Sequence, residues 1–205
     1  MRSLTTVSLH CYLSTVLINT LSSDEAEIWI EENSDLLHSS LSTLISTVLA
    51  FKAIATSLVP YAFKLHPDIF IPMSAAIQHK METASKLLKD LNFFLVDYKS
   101  TCLPAHPALI TIILQTIFQS HSGKLQSFMD FMNLDTIFAL SGVAIYSVLL
   151  KYQTGIYHPA DFGTEFCTKF NECKKKLNDI RDNDPVGCEE LHRLQSDLIT
   201  RGKCM

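Results

Sequence analysis

Three stretches of this chain, residues 36–51, 100–123 and 136–150, contain no aspartate, glutamate, lysine or arginine. Apolar residues within them recur with a helical period, and no segment of the chain alternates as a strand over more than four or five residues. A helix without a charged face cannot lie open to water. It must be surrounded by protein, by lipid or by a bound apolar ligand. A membrane span needs about 18–20 apolar residues. Helix 108–119 falls short of that once the flanking Pro104 and Pro107 are set aside. Segment 136–150 is also short and carries Ser141, Gly142 and Ser147, and Lys52 interrupts 36–63. Burial in a helical bundle is the commoner solution. A chain of 205 residues has room to enclose one or two such helices. Three or four suggest a layer of helices around something apolar, such as a lipid chain.

Composition narrows the class. Apolar residues make up 47% of the chain and charged residues 19%, which describes a globular rather than a disordered chain. A formal charge of −4 argues against a nucleic-acid binder, and six glycines are few for a turn-rich β architecture. Charge is uneven: residues 1–160 hold 9 Lys/Arg and 12 Asp/Glu, whereas residues 161–205 hold 8 and 9. The last 45 residues therefore read as ordinary solvated helix and the first 160 as unusually apolar. The cysteines at 11, 102, 167, 173, 188 and 204 show no C-x-x-C spacing. Reduced thiols are expected, with a disulfide-tied tail as the alternative.

Nearly every segment reads as helix. The first runs over about 4–21, with Leu9, Leu13, Val16, Leu17 and Thr20 on one face. It reads as a structural helix, a signal peptide being the alternative. Ser22 with Glu25 three residues on forms a capping box for a short helix at 24–32. The next helix, 35–59, is expected to kink or end at Pro60. Further helices are expected at 71–98, 108–119, from the Gly123 turn to Met132, at 136–152 with Asp135 as cap, at 161–182, and from a turn at 182–187 to about Thr200. The expected architecture is all-α: seven to nine helices around an apolar cavity, with residues 1–182 as the domain and 183–205 as a C-terminal helical extension.

Motifs of catalysis are missing. The eight histidines show no metal-ligand spacing such as H-E-x-x-H. Cys167 and Cys173 fall on different sides of a helix, and no Gly-rich phosphate loop or G-x-S-x-G is present. No enzyme activity, metal or cofactor is expected.

The run Ser120-His121, Gly123-Lys124-Leu125, Met129-Asp130, Met132 and Asp135 resembles the S-H-G-R-I/V-x-x-V-F-D-H-F-x-D motif of the tumour-necrosis-factor-alpha-induced-protein-eight (TIPE) family, with Ser122 inserted. Thr15, Leu17, Ile18, Ser22, Ser23 and Asp24 stand in the order of that family's upstream helix end. Leu44-Ile45 matches a third patch, and Lys169, Lys175, Lys176 and Leu177 resemble its last helix. The resemblance spans about residues 12–180. It implies a bundle of six or seven helices around a deep cavity for phospholipid tails, with basic residues at the mouth for phosphoinositide headgroups. It also implies a role in regulating apoptosis and immune or inflammatory signalling. The basic first helix of that family is missing here, since Arg2 is the one charge of residues 1–23.

On this reading Leu44, Val48, Ile77, Leu88, Ile113, Ile117, Leu125 and Phe128 line the cavity, and Lys52 and Lys80 stand at its mouth. Ordinary core and solvated face are the competing readings. Lys174, Lys175 and Lys176 read as solvated, since Glu172, Asp179 and Asp182 dilute their field. The expected partners are a phospholipid or fatty-acyl ligand, a membrane surface touched transiently, and signalling proteins, in a cytoplasmic setting. A Bcl-2-like interaction module and a small multi-span membrane protein are the alternatives.

Overall fold

The computed structural model describes residues 34–66, 72–94, 105–119, 134–156 and 165–204. Within them every regular element is helical: α1 (Ser34–Ala62), α2 (Met73–Leu88) with a 3-10 turn at Lys89–Leu91, α3 (Pro107–Ile117), α4 (Leu134–Leu150), α5 (Glu165–Asn183) and α6 (Pro185–Lys203). The expected helices at 4–21, 24–32 and up to Met132 lie outside the described residues.

Helix α4 is the axis of the bundle. It packs against α1, α2, α3 and α5, and α6 packs against α3 and α5. Its buried residues run round the helix, from Ile137 and Phe138 through Ala139, Val143 and Ala144 to Val148 and Leu149. That is the outcome physics demands of a charge-free helix when neighbours supply the cover. Helix α3 is nearly as enclosed, burying Leu109, Ile112, Ile113 and Ile117. Among the side chains of α1 described, 46–62, the buried ones are Thr47, Phe51, Ala55 and Val59, at four-residue steps, with Pro60 beside the last.

Pro60 does not end α1, which continues to Ala62. A proline in the last turn removes one N–H, yet Val59 beside it is fully buried and holds the turn in place. The carbonyl of Pro60 accepts from Leu65 N–H at 2.8 Å and so closes the helix end. Helix α2 is shorter than the expected 71–98. Lys89 leaves the helical region, and Asp90 and Leu91 take left-handed φ values of 52° and 53°. The break turns Phe93 and Phe94 into the core, both fully buried. Their burial offsets a backbone cost of about 1–3 kcal/mol per left-handed residue. The expected turn at 182–187 is tighter: only Asp184 separates α5 from α6. Its carboxylate accepts from Gly187 N–H at 3.0 Å as N-cap, and Pro185 fills the first helical position. Leu191, Leu194 and Leu198 of α6 belong to the same core as α1–α5. Cys167, Cys173, Cys188 and Cys204 are free thiols. Among the described residues, no helix is long and apolar enough to cross a membrane.

Gly142 sets the approach of α5 to the axis. A Cβ there would come within 2.7 Å of the Phe94 ring and 3.0 Å of Cys173 Sγ. Gly142→Val is therefore expected to cost at least about 2 kcal/mol in urea unfolding, because the Phe94 ring has no space to retreat.

Candidate functional site

The apolar residues singled out from sequence divide into groups. Ile113 and Ile117 are fully buried, and Val48 and Leu88 pack half-buried against the same core. Ile77 lies elsewhere, against the turn after α4, where its carbonyl oxygen would be 2.6 Å from a Cβ on Gly155. Gly155 is left-handed at φ 77°, so the close approach and the backbone both require glycine. Lys52 on α1 and Lys80 on α2 are half-buried. The side chain of Leu44, and Leu125 and Phe128, lie outside the described residues.

Charge is organised along α5. A cleft of about 350 Å³ lies between its outer face and the end of α2, lined by Leu88, Asp90, Leu91, Lys169, Glu172, Lys175, Lys176 and Asp179. Lys176 Nζ donates to the carbonyl of Asp90 and so clamps the left-handed turn to α5. Lys169 binds Glu172 at 2.8 Å and stands 5.4 Å from the centre of the Tyr146 ring. Glu172's hydrogen bond raises the Lys169 pKa. Burial raises the Tyr146 pKa against the opposing pull of Lys169. With three lysines and three carboxylates in its wall, this cleft has no net sign with which to select an anion.

The one buried carboxylate among the described residues is Asp135, in the first turn of α4. Expected from sequence as a cap, it reaches across the bundle instead. Arg181 of α5 donates to it through both terminal nitrogens, and Gln195 of α6 donates to it at 3.0 Å. A forked guanidinium–carboxylate pair is strong and directional. Its first effect on Arg181 is to raise the guanidinium pKa. The acid also complements the helix dipole at the start of α4. Three helices are thereby tied at one point by residues that are 46 and 60 positions apart in the chain.

At another point four elements meet around histidines. Phe63, after α1, stacks on His106 at 4.3 Å, and His106 Nδ1 accepts from Ala108 N–H at 3.1 Å to cap α3. His79 of α2 donates through Nε2 to the Lys64 carbonyl at 3.0 Å. His66 meets Tyr152, after α4, edge to face at 6.5 Å. Sequence reasoning did not read His106 as a cap, although Pro107 at a first helical position marks its predecessor as one. Among the described residues, no group of three or more His, Cys, Asp or Glu could hold a metal.

An all-α bundle with one enclosed axial helix and a buried ionic clamp is the class that these features define. Residues 22–180 match the family described as Domain of unknown function (DUF6532), and the chain belongs to that family. No curated protein and no solved structure matches it. Helix α6, with its share of the core and of the clamp, lies beyond the matched residues.

Removing the Asp135 carboxylate strands a partly buried guanidinium. Asp135→Ala is expected to cost about 2–3 kcal/mol in chemical denaturation, with a double-mutant cycle against Arg181→Met showing strong coupling. The thiols are expected to sort by burial. Burial pushes Cys173 up to about 12, so it should resist alkylation at about pH 8 until the chain unfolds. The exposed Cys204 should react at once. Mass mapping of the alkylated peptides checks the order.

Proposed function

We propose that this chain is a non-catalytic lipid-binding protein. It would take up a phospholipid or fatty-acyl chain against its uncharged helices and act on apoptosis or immune and inflammatory signalling through that lipid. The observation that carries the reading is the exposure of α1. Its charge-free stretch buries Thr47 and Phe51, yet leaves Val48 half-buried and Leu49 53% exposed. A helix face meant for water would place charges there. An acyl chain needs none. Burying several hundred Å² of lipid would contribute up to ~10 kcal/mol before entropy costs, at roughly 25 cal/mol per Å². That suffices for binding without headgroup selectivity. Lys52, the residue that follows the uncharged stretch, and Lys80 are the candidate headgroup contacts at the mouth, and a membrane surface is the transient donor of the lipid. The TIPE resemblance supports the signalling part of the reading, and membership of a family of unknown function assigns no activity.

Native mass spectrometry of the protein purified without detergent tests this. Co-purifying lipid, and a rise in melting temperature with added phospholipid vesicles, are expected. A bare mass together with an unchanged melting temperature would refute it.

A further inference from the structure

We propose that His106 is a proton-operated latch, whose protonation releases the N-terminus of α3 from the turn that follows α1.

The geometry sets the sign. Ala108 N–H donates to His106 Nδ1, so that nitrogen carries no proton and the ring is the neutral Nε2–H form. Adding a proton turns the acceptor into a donor that faces another donor. It also places a cation at the positive end of the α3 dipole. No acidic residue lies in the first turn of α3 to compensate, and Pro107 has no N–H to rearrange. The imidazole is the only side-chain cap that this uncharged helix has at its described N-terminus. Its other face is committed to Phe63, so loss of the cap also loosens the stack that joins α1 to α3.

Among the described residues, the charged and titratable groups brought to this end are Tyr61 in the last turn of α1, Lys64 and His66 after it, His79 of α2, and Tyr152 after α4 with Lys151 beside it in the chain. None is an anion that would hold a proton on His106. Glu82, one turn beyond His79, is bonded to Gln78. His79 donates to the Lys64 carbonyl and takes no part in the cap of α3. The release is confined to the N-terminus of α3, where His106 is the side-chain cap.

Burial moves the His106 pKa the same way, below the ordinary histidine value. A folded-state pKa lower than the unfolded one means that the unfolded chain binds more protons as pH falls. The stability from His106 is fully present above about 6.5 and is lost on the acid side.

Two measurements on the full chain decide it. Asparagine caps helices at least as well as histidine and carries no titrating proton. His106→Asn is expected to match the parent near neutrality. Between about pH 7 and 5 the parent should lose roughly 2–4 °C more in Tm than the variant. NMR titration of the wild-type rings should place His106 below the ordinary value of about 6.5. Parallel pH slopes for parent and His106→Asn would overturn the latch. So would a His106 ring that titrates at or above the ordinary value, and this second reading stands even if the variant fails to fold.

Discussion

Everything in this fold depends on covering α4. A 17-residue helix with Asp135 as its single charge cannot be solvated anywhere beyond its first turn, so other elements must be arranged around it. Helices α1, α3 and α5 supply most of that cover, and the broken end of α2 adds Phe93 and Phe94. The small residues Ala139, Gly142 and Ala144 allow neighbours to come close, and the larger Ile137, Phe138 and Ile145 fill the space between them. The neighbouring helices thus supply the cover that the uncharged stretch 136–150 of α4 requires.

The same logic separates α1 from the other two uncharged segments. Helices α3 and α4 find protein on nearly all sides. The described side chains of α1 bury the stripe Thr47, Phe51, Ala55 and Val59 and leave Leu49 exposed, although residues 46–51 carry no charge. This mismatch between composition and burial is the feature that the functional reading addresses. The mixed-charge cleft beside α5 shows no such mismatch, since Lys169 pairs with Glu172 and Lys176 with the Asp90 carbonyl.

Much of the architecture was legible in the chain. Helical period and missing charge gave the all-α class and placed α3, α4 and α5 to within a few residues. What failed has specific physical causes. The break after Leu88 is driven by two phenylalanines that reach the core, and nothing local in Lys89-Asp90 announces a left-handed turn. Pro60 is tolerated because its helix has already turned its last buried residue inward. The partners of Asp135 are distant in sequence and were invisible to any local rule. The site was less legible. Apolarity identified Val48, Leu88, Ile113 and Ile117 as inward-facing, but core and cavity wall are made of the same residue types, so composition could not separate them.

The chain order of these helices has a consequence for biosynthesis. Helices α1 and α3 leave the ribosome before the segment that fills the space between them, and α5 and α6 follow as a hairpin joined through Asp184. Through that interval the nascent chain carries the uncharged 36–51 stretch of α1 and the uncharged α3 without the helix that covers them. Such surfaces are the substrates of holding chaperones and the seeds of aggregation. A cell that makes this protein must therefore shepherd its first half until the axle of the bundle has been translated.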